Sequence, residues 1–133
     1  MPISSIFQGN YQNVPSNTPS SEGGEVINSY EDTTNVRTNH DIPSLAFSAL
    51  LKGFRAIITV NVDADPNPNL SETFEMLGTY DGTGWSISQT SIANTNGAAN
   101  ITFDITSAGQ MRYSSTSTTG FTKRTLTWSL LTL

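Results

Sequence analysis

The sequence predicts an all-β protein: a seven- to eight-stranded β-sandwich or jelly roll with an extended N-terminal arm. Short segments in which apolar and polar residues alternate recur along the chain, as expected of strands with one buried face. Turn-forming Gly, Asn, Asp, Pro and Ser residues separate these segments at short intervals, which is typical of sandwiches and jelly rolls. We therefore divide the chain into an arm, residues 1–24, and a sandwich domain, residues 25–133.

The arm combines turn-forming residues with large apolar side chains. It holds three prolines and three glycines among many Ser, Asn and Gln residues, and it shows neither helical nor strand periodicity. Five apolar residues are spaced through its first half: Ile3, Ile6, Phe7, Tyr11 and Val14. Such side chains reduce solubility when they are exposed. The arm is therefore interpreted either as a segment that binds a partner through these residues or as a poorly ordered terminus.

The first half of the domain is predicted to contain a short strand, an ambiguous segment and a long strand. The short strand covers residues 26–30 and precedes a polar loop over 31–43. Residues 44–52 are ambiguous, because their Leu and Ala residues favour helix while their alternating apolar residues allow a strand; we prefer the strand. Strict alternation makes 54–62 the clearest strand, and the Asp-, Asn- and Pro-rich residues 63–72 form the next loop.

The second half is predicted to contain two hairpins and a closing strand. Its strands are expected at residues 74–80, from Trp85, at 101–105, from Met111 and from Phe121 onward. Turns at 81–82 and 107–109 join the members of each hairpin. The closing strand alternates up to Leu130 and continues to Leu133 without a polar tail. Because chain ends usually fray, we expect the core or a neighbouring chain to hold this C-terminus.

Composition and charge exclude several classes of function. The chain has no cysteine, which excludes disulfide frameworks, thiolate metal sites and cysteine nucleophiles. Six Lys and Arg residues against eleven Asp and Glu residues give a net charge of −5 without a basic run, so no nucleic-acid partner is predicted. No apolar stretch approaches the length of a membrane span, so no membrane insertion is predicted. The N-terminus also lacks the features of a signal peptide.

Neutral polar residues dominate the sequence. Ser, Thr and Asn together supply 48 of the 133 residues. This composition is ordinary for a β protein, because Thr favours strands while Asn and Ser favour turns. It also suits close lateral packing in an assembly, because charged residues are depleted at the cores of interfaces. The sequence leaves both explanations open.

We predict neither an enzyme nor a cofactor or metal site. The loop after the long strand begins like a calcium loop but has Pro68 where that loop needs glycine and Phe74 where it needs glutamate. His40 is the single histidine and is expected in a surface loop, without the partners of a triad or a zinc site. Glu72 and Glu75 are expected to flank a strand or face outward rather than converge as catalytic carboxylates.

Aromatic residues near the first hairpin turn are a candidate ligand site. Trp85 follows the turn, where an exposed ring beside Tyr80 and Asp81 would suit a glycan. Trp85 is also in phase with the apolar Ile87, and Trp128 is in phase with its own apolar neighbours. We therefore favour the core for both tryptophans and keep Tyr80, Asp81 and Trp85 as a candidate glycan contact.

A series of short motifs follows a characteristic order through the last two-thirds of the chain. The motifs are Pro43-Ser44-Leu45, Gly53-Phe54, Phe74 to Gly78, Gly84-Trp85-Ser86-Ile87, Phe103-Asp104-Ile105-Thr106, Gly109-Gln110 with Tyr113-Ser114, and Gly120-Phe121. In this order, residues 42–133 resemble a module that recurs in virion structural proteins of tailed phages and large DNA viruses, in capsid-associated and fibre-like polypeptides. The chain departs from the module at Trp128-Ser129-Leu130, where relatives often carry a Phe-Arg-Ala-like end.

This resemblance implies a role in assembly, without catalysis or a cofactor. We predict a non-enzymatic virion structural protein, foremost a capsid decoration (cement) protein. It would form a homo-oligomer, a trimer in preference to a dimer, and contact the capsid protein through its arm. The alternative is a fibre or receptor-binding module that recognises host surface glycans. Either role places the chain in the virion, on the capsid surface or in a fibre.

Overall fold

The computed structural model describes residues 28–133, which form eight β-strands and no helix. The strands are β1 (Asn28–Asp32), β2 (Arg37–Ala46), β3 (Gly53–Ala64), β4 (Leu70–Tyr80), β5 (Trp85–Thr95), β6 (Ile101–Ile105), β7 (Gln110–Ser115) and β8 (Phe121–Thr132). They form two antiparallel sheets around one core, so the all-β sandwich predicted from the sequence is confirmed. The arm, with its five apolar residues, lies outside the described residues, as do the first two residues of the strand predicted at 26–30.

The strand order combines local hairpins with three long-range pairings. One sheet has the order β1-β8-β3-β4-β5 and the other has the order β2-β7-β6. Consecutive strands pair from β3 to β5 and from β6 to β7. The pairings of β8 with β1 and with β3, and of β2 with β7, join the two halves of the chain, as in a jelly roll. In the part of the chain that the structure describes, no helix is long and apolar enough to cross a membrane.

Strand periodicity accounts for the core. Ile58, Val60 and Val62 of β3 are fully buried, whereas the residues between them are exposed or half-buried. This alternation arises because successive side chains point to opposite faces of a strand. Met111 and Tyr113 of the three-stranded sheet belong to the same buried cluster. Burial of each aliphatic side chain stabilises the fold by about 1.5–3 kcal/mol.

The C-terminus is held by the chain's own β3. β8 pairs with β3 along its length, up to Thr132 opposite Phe54. The N–H of Leu133 then donates to the carbonyl of Gly53, and the N–H of Lys52 donates to the carbonyl of Leu133, both at 2.9 Å. Of the two alternatives predicted from the sequence, the core or a neighbouring chain, the structure shows the first: strand β3 of the same chain holds the C-terminus.

The polar loop predicted over residues 31–43 is wrong, because β2 begins inside it. β2 is an edge strand that pairs only with β7, and only its Ile42 and Leu45 side chains are buried. Its register shifts twice, and Asn39 and Ser44 have positive φ. Such irregularities interrupt the alternation by which a strand is identified in a sequence.

The ambiguous segment at 44–52 is neither a helix nor a strand throughout. β2 ends at Ala46, and residues 47–52 reverse the chain into β3. The Phe47 side chain remains buried, and its N–H donates to the carbonyl of Gly109 at 2.9 Å. The apolar alternation in the sequence therefore continues one residue past the end of the strand.

Candidate functional site

The candidate glycan contact at the first hairpin does not form an open site. The Trp85 side chain is only 5% exposed, and its ring packs against Phe54 and Tyr80 at centroid distances of 5.7 and 5.4 Å. A sugar platform has to present a ring face to solvent, and the Trp85 ring does not present one. Trp128 is buried as well, and the core interpretation of both tryptophans is confirmed.

Asp81 is used within the hairpin turn itself. Its carboxylate accepts hydrogen bonds from the backbone N–H of Thr83 at 2.8 Å, from that of Gly84 at 2.9 Å and from the Thr83 hydroxyl at 2.8 Å. These bonds, with that from the Thr83 N–H first, lower the pKa of Asp81. Tyr80 is half-buried against Trp85. Of the three predicted residues, Asp81 therefore stabilises the turn, and Tyr80 and Trp85 pack against each other beside it.

His40 lies in a strand, which corrects its predicted placement in a surface loop. It belongs to β2, and its Nε2 atom lies 2.8 Å from the hydroxyl of Tyr30 in β1. The Tyr30 ring stacks on the imidazole, and the Tyr113 ring meets it edge-on at 5.6 Å. His40 therefore connects the two sheets where their β1 and β2 edges meet.

A buried ion cluster lies beside His40 and was not visible in the sequence. Asp32 accepts two hydrogen bonds from Arg37, at 2.8 and 2.9 Å, and one from the Tyr113 hydroxyl. Burial opposes ionisation of Asp32, but these bonds and the Thr34 N–H outweigh it and hold the pKa of Asp32 well below its usual value. Arg124, fully buried, lies 4.0 Å from the same carboxylate.

Arg124 fixes the loop between β1 and β2. Its guanidinium donates to the carbonyl of Thr34 at 3.1 Å and to that of Asn35 at 2.8 Å. It also lies over the Phe121 ring, 4.9 Å from the centroid. The charged groups of the cluster are engaged with one another and with the backbone, except that the buried Nε atom of Arg124 has no hydrogen-bond partner among the described residues.

Glu72 faces inward, which corrects the expectation that it flanks a strand or faces outward. It shares the inner face of β4 with Phe74 and Met76. Its carboxylate accepts hydrogen bonds from the Ser91 hydroxyl at 2.6 Å and the Ala99 N–H at 2.8 Å. Glu75 lies on the outer face. Residues 28–133 contain no group of three or more His, Cys, Asp or Glu side chains placed to hold a metal.

One end of the sandwich carries most of its exposed apolar side chains. Five of the seven large apolar residues exposed in the described part lie there, and we call this surface the leucine end: Leu50, Leu77, Leu130, Leu131 and Leu133. Leu77 and Leu131 are the register partners of Arg55 on its two sides. The backbone of Leu133 pairs with Lys52, which follows Leu50 in the same reversal. Exposure ranges from 41% for Leu130 to 89% for Leu50.

Two adjoining clefts lie at the opposite end, where the loops at 65–69, 96–100 and 116–120 meet; we call this the loop end. One cleft has a volume of about 330 Å³ and is lined by β4, β6 and β7 residues together with Asn100. The other has a volume of about 360 Å³ and is lined by all three loops, again including Asn100. Asn100 therefore lies where the clefts meet. The sequence shows these loops as rich in Asn, Ser and Thr, a composition that ordinary turns share.

Comparison with known proteins identifies the fold. No protein-family model matches the chain, and no curated protein matches it. The structure is similar to part of the tailspike protein of Acinetobacter phage vB_ApiP_P1, with a TM-score of 0.53 over 84% of this chain. The two sequences are 16% identical, and the match covers 24% of the tailspike chain. The likeness therefore shows a β-sandwich fold that also occurs within a phage tailspike.

Proposed function

We propose that the chain is a non-enzymatic structural module of a phage virion, in a tail spike or fibre, and that copies of it associate through the leucine end. Two observations support the virion role. The ordered motifs of residues 42–133 resemble a module of virion structural proteins, and the fold is similar to part of a phage tailspike. Because the chain corresponds to about a quarter of that tailspike, it is proposed as one module of such an assembly.

The leucine end is the observation that carries the role in assembly. Exposed apolar side chains that gather at one end of a domain, rather than lying singly, mark interaction sites. A second copy of the chain fits this surface, because its own leucine end is equally apolar. Among the charged side chains nearby, Arg55 is paired with Glu75 at 2.6 Å, and Lys52 is exposed beside Leu133. Repeated contacts of this kind build symmetric oligomers.

The proposed role is non-enzymatic because the polar side chains described above are used within the fold. Asp32 and Arg124 hold a loop, Asp81 builds a turn and Glu72 binds a backbone N–H. A catalytic carboxylate or imidazole has to be free to exchange a proton with a substrate in a cleft. Engagement of these side chains within the fold favours a structural role.

Substitution of two leucines is expected to weaken self-association. In the double variant Leu50→Ser/Leu131→Ser, the dissociation constant should rise by about 100-fold, because burial of each leucine contributes at least about 1.5 kcal/mol. Both side chains are more than half exposed, so the fold should be retained. Sedimentation equilibrium of the full chain gives the dissociation constant, and the mass distinguishes the predicted trimer from a dimer.

Ile92→Ser is the matched control, because Ile92 is 56% exposed on β5 and lies outside the leucine end. It should leave the dissociation constant unchanged. A full chain that sediments only as a monomer would contradict association through the leucine end, and so would an equal effect of the control substitution.

Capsid decoration is the second candidate, favoured by the apolar residues of the arm. Asn28 lies opposite Trp128 in antiparallel pairing, so the chain enters β1 from the leucine end. Immunogold labelling of purified particles distinguishes the candidates. Label at the tail supports the spike or fibre role, label on the capsid shell supports decoration, and particles without label contradict both.

A further inference from the structure

Three of the four edge strands in the described part of the chain carry features that discourage further pairing. β1 and β6 have five residues each, and β1 ends in Glu31 and Asp32. β2 contains Pro43 and two register shifts. Short length, charge, proline and bulges are the usual features that protect a sheet edge from other strands. β5 differs, because its eleven residues include neither a charged residue nor a proline.

The outer edge of β5 presents free backbone groups. The N–H of Trp85, its first residue, donates to the carbonyl of Ser107 at 3.1 Å and so points away from β4. Its register partner Tyr80 donates in the opposite direction, to the residue that precedes β3. Because the residues of an antiparallel strand face their partner strand alternately, Ile87 and Gln89 also direct their backbone groups away from β4. Neither backbone has another hydrogen bond among the described residues.

A bulge bounds the open part of this edge. The register with β4 passes from Ser91 to Ala93 and leaves Ile92 without a partner. A bulge of this kind interrupts pairing and bends the strand. The segment available to a further strand is therefore residues 85–91.

Two half-buried isoleucines lie at the same open side of the sandwich. The Gln89 side chain crosses from β5 to β6, where its Oε1 atom accepts from the Phe103 N–H at 2.8 Å. Together with the backbone bond at the start of β5, this contact places Ile87 opposite Ile105. Both isoleucines pack on the core but are only partly buried. The open side therefore combines free backbone groups with an apolar site, the two features that strand addition uses.

The arm contains one segment suited to this edge. Residues 3–14 separate the first two prolines of the chain and include no charged residue. Every residue of this segment can therefore donate its N–H to a ladder, which a proline cannot do. All five apolar arm residues belong to it. Phe7 and Tyr11 are four residues apart, so they would share one face of a strand and could both cover the apolar site.

We propose that residues 3–14 add to the sheet of their own chain as a strand antiparallel to β5. β5 begins at the end of the sheet where the chain enters β1, so this direction leaves residues 15–27 to cross that end. The crossing spans five strand spacings, about 24 Å. A linker of 13 residues rich in Ser and Gly has a root-mean-square length of about 20 Å. A tethered segment reaches its highest effective concentration when these lengths match, which favours the chain's own arm over that of another copy.

Space for the Gln89 side chain favours one register. With Tyr11 opposite Ile87, the glycine two residues before Tyr11 lies opposite Gln89 and leaves room for the side chain that crosses to β6. Asn10 then lies opposite Ser88, and both side chains point to the outer face of the sheet. Because the backbone of Ser88 faces β4, the two residues form a non-hydrogen-bonded pair, whose Cα atoms are close enough for a disulfide.

A disulfide between the arm and β5 tests the proposal, since the natural chain has no cysteine. Mild oxidation of the full-length variant Asn10→Cys/Ser88→Cys should produce an intramolecular disulfide in most molecules. Asn10→Cys/Ser29→Cys is the matched control, because Ser29 is exposed on β1 at the other edge of the same sheet. The control should form its disulfide at least about tenfold more slowly, although its two positions are closer in the chain.

Hydrogen exchange of the full chain provides a second measurement. The amide protons of β5 that face away from β4 should exchange at least about tenfold more slowly in the natural chain than in Phe7→Ser/Tyr11→Ser. Those bonded to β4 should stay protected in both proteins and show that the sheet is intact. Gln8→Ser/Gln12→Ser, on the opposite face of the added strand, is the control and should leave all these rates unchanged.

Each contrary outcome overturns a defined part of the proposal. Disulfide-linked dimers would show that the arm of another copy occupies the edge. Equal cross-linking in the two cysteine variants would overturn docking at β5, and so would outward amides that exchange equally fast, or equally slowly, with and without Phe7 and Tyr11. Both measurements are repeated in the Leu50→Ser/Leu131→Ser background, so the outcome is separate from self-association through the leucine end, which sedimentation measures.

Discussion

Replacement of Asp32 by asparagine is expected to lower the free energy of unfolding by about 3–5 kcal/mol, because it leaves a fully buried guanidinium without its carboxylate. In the folded protein Arg124 is fully buried 4.0 Å from the Asp32 carboxylate, and Arg37 donates two hydrogen bonds to the same group. Asparagine keeps the size of the side chain but removes the charge that both arginines require. Urea unfolding of the full chain at neutral pH measures the loss.

Asp104→Asn is the matched control, because it breaks an ion pair that faces solvent. Arg112 donates to Asp104 at 2.6 and 3.0 Å, with the same bidentate geometry, but the Asp104 side chain is 44% exposed. An exposed pair of this kind contributes at most about 1 kcal/mol. Equal destabilisation by the two substitutions would contradict the argument that burial makes the Asp32 cluster costly to break.

The stabilisation by Asp32 should also depend on pH in a defined direction. Its pKa in the folded protein is lowered from an unfolded value of about 3.9. The ionised carboxylate therefore stabilises the fold fully above the unfolded pKa, and this contribution declines as the pH falls towards the lowered folded value. The difference in unfolding free energy between the natural chain and Asp32→Asn should thus shrink below about pH 4. A difference that grows with acid would contradict the assignment.

The regular strands could be predicted from the sequence because their periodicity is strict. β3 alternates without interruption between the buried and outer faces over Phe54 to Val62, and both flanking strands of its sheet follow the same period. β2 could not be predicted, because an edge strand with two register shifts buries only Ile42 and Leu45. The period-two signal depends on a strand that contacts the core at every second residue.

The residues of the candidate sites could be predicted from the sequence only where they are close together in the chain. Leu130, Leu131 and Leu133 are visible as an apolar ending, but Leu50 and Leu77 join them only through the register of β3. The inward face of Glu72 agrees with its phase with Phe74 and Met76, but Glu72 falls in the predicted loop over residues 63–72, and a carboxylate is seldom buried. Loops that form the clefts come from three separate turns, which no local pattern connects.

Gly78 is required by the aromatic packing beneath it, and its substitution should have the second of the two largest effects. It lies on the inner face of β4 opposite Phe54, and a Cβ atom at this position would overlap the Phe54 ring. Movement of that ring is restricted, because Phe47 stacks on it at 3.8 Å between centroids and Trp85 packs against it at 5.7 Å. The steric conflict therefore has to be relieved by the backbone of the sheet.

Gly78→Ala is accordingly expected to lower the free energy of unfolding by about 3 kcal/mol, at the upper end of the usual cost of overpacking. Thr79→Ala, at the next residue of β4 on the exposed face, should change it by no more than about 0.5 kcal/mol. Phe54→Leu provides the decisive comparison, because it removes part of the ring that a Cβ atom would overlap. The double variant Gly78→Ala/Phe54→Leu should be more stable than the sum of the single losses predicts, by at least about 1 kcal/mol. Chemical unfolding of the four proteins measures this coupling, and strictly additive losses would show that Gly78 is needed for its backbone conformation rather than for the space that Phe54 occupies.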